Sequence, residues 1–522
     1  MDQKVLIAVL SLFYLLFADG SLAKERARPK DKPNILFFLV DDMGVMDTSA
    51  LLLCGKDGSP ERYPLNRWYR TPNMERLAGR GVRFPEFNAH SVCSPSRISI
   101  MTGQNSARHG TTNWIDLYHN NGNPCMPKAW NWEGIRKGWT TLPGVLREAG
   151  YRTILIGKAH FGPKNHFAVN PLNLGFDICI AGSGIGHPGS YLSEKHYGQR
   201  TRHPVPDLEK YWDSGTFLTE ALTLEAVKTI DRSVEDGVPF FLYMSHYAVH
   251  APYDCDPRFK HSYKRADRTR SVKNLAGLIE GMDQSLGDLM DHLEKRGVAE
   301  NTLIIFMGDN GSAAPMGPAN GIAASAPLRG MKGTMWEGGV RVPFIAAWAK
   351  PDPANAFQKK IPIVRGGISG TWGACYDLLP TLAHVGGARI PAGWKVDGRN
   401  ILPLFADPAA DFPHRVFLSH FPHFHASRRC DFFSTLRDGE WKIIRQYDPT
   451  GELNNGKSHD RLYNLKEDPS ESNDLSGRYP GRLKILRRVL EKTLKEHGAL
   501  LPEKGEPDPG FRRVKKGIYR WE

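Results

Sequence analysis

Four uninterrupted apolar runs punctuate the first three-fifths of the chain, and each one ends in polar groups. Residues 34–40 (Asn-Ile-Leu-Phe-Phe-Leu-Val) run into Asp41-Asp42, and residues 153–156 run into Gly157-Lys158-Ala159-His160. Residues 240–244 lead to His246 and to His250-Ala251-Pro252, and residues 302–307 lead to Gly308-Asp309-Asn310-Gly311. Apolar runs without alternation predict strands covered on both faces, as in a parallel sheet. Between them the pattern predicts helices over 72–78 (opened by Thr71-Pro72), 142–149, 216–234 and 272–295. In open α/β sheets ligands bind beyond the carboxyl ends of the strands. Two adjacent carboxylates there are costly unless paired or bound to a cation. One such coincidence is common; four argue for a single site.

Beyond Leu404 the pattern changes. Strand-like pieces occur at 416–419, 433–437 and 439–444, and Leu462-Tyr463-Asn464-Leu465 with Asp468-Pro469 follows. A basic amphipathic helix is predicted over 483–497. The segments 110–138, rich in tryptophan, and 182–206, rich in glycine and histidine, carry no period and read as loops. No internal repeat or low-complexity tract is visible. At the other end, Lys4, an apolar run over 5–18 and the small residues Ser21-Leu22-Ala23 predict a signal peptide over 1–23. The run is short for a membrane span. This implies export, to the periplasm or outside the cell, with no stable membrane insertion after cleavage.

Composition adds little about the fold: 40% hydrophobic and 24% charged residues are ordinary for a globular chain. The formal net charge of +13 favours polyanionic partners. No nucleic-acid-binding motif accompanies the scattered Lys and Arg, so nucleic acid is not expected as a partner. The seven cysteines are an odd number, which in an exported chain leaves one unpaired; Cys93 is the natural odd one. Spacing does not say whether the other six form bridges. No CxxC pair indicates a zinc site.

The chemistry concentrates at Ser91-Val92-Cys93-Ser94-Pro95-Ser96-Arg97-Ile98-Ser99-Ile100-Met101-Thr102-Gly103. Pro95 suits a first helical turn, so a helix is expected from Ser96 and Arg97 onward, with Cys93 just ahead of its N-terminus. Free N–H groups and the macrodipole attract anions there. Asp41, Asp42, Asp309 and Asn310 offer oxygen ligands only, which favours a hard cation, calcium or magnesium.

Cys-x-Pro-Ser-Arg resembles the signature of the type I, formylglycine-dependent sulfatases of the alkaline phosphatase superfamily. Thr102-Gly103, Gly-Lys-x-His at 157–160, His-x-Pro at 250–252, Gly-Asp-Asn-Gly at 308–311 and Lys332 within Leu328–Thr334 follow in the family's order. The resemblance implies an α/β fold: a large, mostly parallel central sheet flanked by helices, with a smaller C-terminal antiparallel sheet. It places the catalytic domain at 33–405, a smaller α+β domain at 413–505 and a tail at 506–522. It also implies hydrolysis of sulfate monoesters, with a partner maturase oxidising Cys93 to formylglycine (3-oxoalanine). One calcium ion would be held by Asp41, Asp42, Asp309, Asn310 and the residue at Cys93. Arg97 and Lys158 would orient the hydrated aldehyde and His160 would take its second proton. His250 and Lys332 would bind sulfate, with His250 the acid for the leaving alcohol. The expected substrate is a sulfated sugar or oligosaccharide, with Trp114 and His423, within His420–His425, as candidate contacts. A phosphodiesterase or phosphonate monoester hydrolase on the same fold, or an inactive glycan-binding relative, are the alternatives.

Overall fold

A computed structural model describes residues 32–506, apart from 56, 123, 265–266, 318–321, 426–429 and 452–453. The predicted signal peptide and the tail beyond residue 506 lie outside the described residues. Among these, the main sheet comprises β1 (Asn34–Val40), β2 (Gly81–Arg83), β3 (Arg152–Gly157), β4 (Ile178–Ile180), β5 (Phe240–His246), β6 (Thr302–Gly308), β7 (Phe344–Trp348) and β8 (Gly367–Ile368). Their spatial order is β8-β2-β7-β6-β1-β5-β3-β4. Only β7 runs against its neighbours β2 and β6; the other pairings are parallel.

Strand β1 is central, and its side chains divide between two cores. Leu36, Phe38 and Val40 pack with α4 (Leu218–Glu235) and α5 (Arg270–Lys295). Ile35, Phe37 and Leu39 face the opposite layer, which holds α2 (Cys93–Thr102), α3 (Leu142–Glu148) and α6 (Leu378–Val385). Burial on both faces is why the run is apolar without alternation. Helix α1 (Pro72–Arg80) is pinned where Asp283 of α5 accepts the Asn73 and Met74 N–H groups at 2.9 and 2.8 Å.

Register decides what converges. Val40 lies opposite Gly308 on one side and His246 on the other, and Gly157 lies opposite Ser245. The residues that follow β1, β3, β5 and β6 therefore emerge side by side.

The C-terminal sheet is a separate antiparallel meander of β9 (Val416–His425), β10 (Cys430–Asp438), β11 (Trp441–Gln446) and β12 (His459–Asn464). Helix α7 (Pro480–His497) covers one face, with Leu486, Leu490 and Leu494 against Leu418, Leu436, Ile443 and Leu462. Each fully buried leucine there contributes about 1.5–3 kcal/mol. The other face meets the large layer through Phe421, Phe433, Ile444 and Tyr463 against Val92 and Met335.

One expectation needs correction. Helix α2 begins at Cys93 itself, capped by an extended Val92, so Cys93 occupies the first turn instead of preceding it. Pro95 fits inside that turn because its missing N–H has no intrahelical partner anyway. All ten residues of α2 are buried. The six cysteines whose side chains are described (Cys54, Cys93, Cys125, Cys179, Cys255 and Cys375) carry free thiols. No helix among the described residues is long and apolar enough to cross a membrane.

Candidate active site

The strand ends meet as their register requires. The Asp41, Asp42 and Asp309 carboxylates lie within 4.8 Å of one another, and all three are buried. Asp42 N–H donates to Asp309 Oδ1 at 3.0 Å, and Asn310 Nδ2 donates to Asp42 Oδ1 at 3.0 Å. Asp42 holds a left-handed backbone, φ 61°, unusual for a residue with a side chain. Burial pushes the Asp41 carboxyl well up, against the pull of Lys158. Asp41 Oδ1 and Asn310 Oδ1 are buried acceptors without a hydrogen-bond donor. Three clustered carboxylates with two such orphaned oxygens fit a hard dication.

Opposite them stands α2. Arg97, fully buried, donates from Nε to Asp309 Oδ2 at 2.8 Å and from Nη1 to the Lys158 carbonyl at 2.9 Å and Ser245 Oγ at 2.8 Å. Burial alone would lower its pKa; Asp309 and Asp41 outweigh that and raise it. Lys158 Nζ donates to Asp41 Oδ2 at 2.7 Å, and Lys332 Nζ donates to Asp42 Oδ1. Cys93 Sγ therefore sits among cations and carboxylates, with burial pushing its thiol up.

His160, also left-handed at φ 59°, places Nδ1 3.5 Å from Cys93 Sγ. Its Nε2–H donates to the Ile115 carbonyl at 2.8 Å, which leaves Nδ1 as the acceptor facing Cys93. His250 Nδ1–H donates to Ala251 O at 2.7 Å and turns Nε2 toward Asp42 Oδ2 at 3.5 Å. Burial lowers both imidazoles well below the usual histidine range. His250 is 18% exposed and Lys332 8%, so the site opens to solvent on their side.

The six catalytic and four oxygen-ligand candidates are thus brought into one cluster. His246 is a packed histidine: Nε2 meets Ser285 Oγ at 3.0 Å, the ring lies against Phe38, and burial pushes it down to about 3. Trp114 is half-buried and immediately precedes Ile115, whose N–H donates to Ser94 Oγ at 3.0 Å. His423 is fully enclosed, with Nε2 2.7 Å from Thr112 Oγ1 and its ring edge-on to Trp130. It holds the 112–115 loop against β9 and reaches no open surface.

Sequence reading missed the 186–187 segment. A Cβ on Gly186 would lie 3.0 Å from His160 Cε1, and the His187 ring stacks on His250 at 5.1 Å between centroids and 4° between planes. One loop thus covers both catalytic histidine candidates. The only signal was its glycine and histidine content.

A family model described as Sulfatase matches residues 33–388. The N-acetylgalactosamine-6-sulfatase of Mus musculus is 31% identical over 416 residues, 76% of this chain and 70% of its own length. The arylsulfatase G of Rattus norvegicus is 28% identical over 528 residues, 92% of this chain and 90% of its own. Among solved structures, Ps i-CgsB superposes with a TM-score of 0.69 at 25% identity, covering 94% of this chain and 98% of that one.

Proposed function

The chain belongs to the sulfatase family and is a sulfuric ester hydrolase, and from that premise we propose that it removes sulfate from a sulfated carbohydrate, with Cys93 converted to formylglycine and one calcium ion at Asp41, Asp42, Asp309 and Asn310. The observation that carries this is the gathering of Arg97, Lys158, His250 and Lys332 around the buried Asp41, Asp42 and Asp309 carboxylates, with His160 Nδ1 against Cys93 Sγ beside them. When present, formylglycine supplies as its hydrate the oxygen that displaces the alcohol, and calcium neutralises charge on the sulfate. The chain's own residues do the rest. Arg97, fixed at three points, holds the Cys93 helix in register with Asp309 and Lys158. Lys332 and Lys158 stand where they stabilise anionic oxygens against a low-dielectric background. His250, the more open of the two imidazoles, faces the leaving alcohol with Nε2; once the bound sulfate's negative charge favours the imidazolium, its Nδ1–H stays on the Ala251 carbonyl and its Nε2–H passes to the departing oxygen. His160 Nδ1 is the acceptor beside the nucleophile.

In this reading residues 33–405 form the catalytic unit, 413–505 the smaller unit, and export follows from the leader at 1–23. The carbohydrate assignment is supported by the name of the mouse relative, an N-acetylgalactosamine sulfatase, and by the half-buried Trp114 beside the site. Mass spectrometry of the Cys93 peptide, after expression with a formylglycine-generating maturase, should show loss of the thiol mass. A panel of sulfated sugars, an aryl sulfate and an aryl phosphate diester then tests the substrate class. Preference for the phosphate diester, or an unmodified thiol in fully active enzyme, would reject the proposal.

A further inference from the structure

Lys332 sits on the loop Arg329–Glu337, and two of that loop's anchors come from one residue of the C-terminal unit. Arg329 Nη1 donates to the Glu471 carbonyl at 3.0 Å, and Glu337 N–H donates to Glu471 Oε2 at 2.7 Å. Glu471 thus holds the loop three residues before Lys332 and five after it. Between these ties, Lys332 N–H donates to Ser312 O at 2.9 Å and Gly333 N–H to Ser91 O at 2.7 Å, linking the loop to the approach to Cys93. The Arg329 guanidinium also lies 3.7 Å over the Trp336 ring, which folds the loop on itself.

Glu471 is fully buried and belongs to an ionic cluster that spans both units. Lys442 Nζ bridges Glu471 Oε1 at 2.7 Å and Glu337 Oε1 at 2.9 Å. Arg341 pairs with Glu337 and Glu86, and Arg437 with Glu86. Three cations thus balance three carboxylates, so every charge in the cluster depends on the others. Glu471 adopts φ 53°, a conformation glycine would take without strain. A glutamate at such a position is explained by what its carboxylate holds. The turn beneath it is fixed by Asp468, which accepts from Ser470 Oγ at 2.7 Å and Asn473 N–H at 2.8 Å.

We infer that Glu471 is a positioning residue for the reaction: it fixes the Arg329–Glu337 loop and through it sets the Lys332 ammonium against the substrate's sulfate. The C-terminal unit then completes the sulfate site from behind. This rests on Lys332 being a sulfate contact, as proposed above.

A double-mutant cycle in the full-length, matured enzyme tests it. Glu471→Ala should lower kcat/KM for an aryl sulfate by about ten-fold or more and weaken inhibition by inorganic sulfate. In a Lys332→Ala background the same change should cost less than about two-fold, because the group it positions is gone. Glu471→Gln, which keeps an acceptor for the Glu337 N–H, should recover part of the loss. Breaking a buried ionic cluster is costly to folding, so Arg329→Ala is the companion variant. It removes the tie to the Glu471 carbonyl and the stack on Trp336 while leaving the ionic cluster and the Glu337 tie intact, and should show a smaller loss that also vanishes without Lys332. Equal losses in both backgrounds would overturn the inference, as would a folded Glu471→Ala enzyme of full activity. A Lys332→Ala enzyme as active as the parent would overturn the assignment of Lys332, and this inference with it.

Discussion

Among single side chains, the two catalytic histidine candidates are separated by their surroundings. His250 carries the open side of the site, so His250→Ala should cost more on a sugar sulfate, whose alkoxide leaves poorly, than on an activated aryl sulfate, by about ten-fold or more. Equal losses would move the acid role to Lys332. Asp309 holds Arg97 as well as offering a cation ligand, so Asp309→Ala should lower turnover by about 100-fold or more. Chelation should do the same to the parent enzyme; turnover that survives both rejects the cation site. These residues were legible in the sequence because Asp309 directly follows an apolar run and His160 and His250 lie three and four residues past the end of one, so that one strand register delivers them together. His187 was not, since no periodic element carries it. Its Nδ1–H donates to Pro188 O at 3.0 Å, which leaves Nε2 as an acceptor beside His250. His187→Ala should therefore lower kcat/KM on the sugar by about ten-fold while sparing a small aryl sulfate. Equal effects on both would show that it only supports His250.

Elements came through the sequence unevenly. Strands β1, β3, β5 and β6 were legible because both faces are buried and nothing polar interrupts them. Strand β7 was not: Phe-Ile-Ala-Ala-Trp is short, alanine-rich and follows Pro343 directly. Helix α6 was hidden by Pro380, which reads as a breaker yet occupies the third helical position, where no N–H is needed. The start of α2 was placed three residues late for the same reason, since Pro95 tolerates either frame. The contact of the 186–187 loop with His160 offers a steric test. Gly186→Ala adds a Cβ 3.0 Å from Cε1 and 3.1 Å from Nε2, which should turn the imidazole off the Ile115 carbonyl. Activity should fall about ten-fold or more with the melting temperature nearly unchanged, because Gly186 is not at positive φ. Unaltered activity would mean that the loop yields instead.

Across the whole molecule, buried titratable groups set the acid limit of stability. Away from the reacting centre, burial lowers His90 well below its usual range, His109 and His246 to about 3 and His420 to about 4. Each stays neutral in the fold while the unfolded chain takes up a proton below about pH 6.5, so stability is lost as pH falls. Burial acts oppositely on Asp47 and Asp283, raised to about 7: the fold holds a proton there that the unfolded chain releases above about pH 4. Burial raises Glu471 in the same way, so four histidines against three carboxylates leave a net of roughly one proton favouring the unfolded chain. Stability should drop by roughly 1–1.5 kcal/mol per pH unit between about pH 6 and 5, read from urea midpoints at fixed ionic strength. A flat profile would rule this out. The burial of α2 also has a consequence in time. Cys93 is 3% exposed in a helix enclosed on every side, so the maturase proposed above would have to meet the chain before this layer closes. Strand β1 cannot be flanked until β5 and β6 exist, and β6 ends at Gly308. At roughly 5–20 residues per second, synthesis of the intervening residues takes on the order of 10–40 s, and the order of the strands along the chain thereby keeps a window open for Cys93.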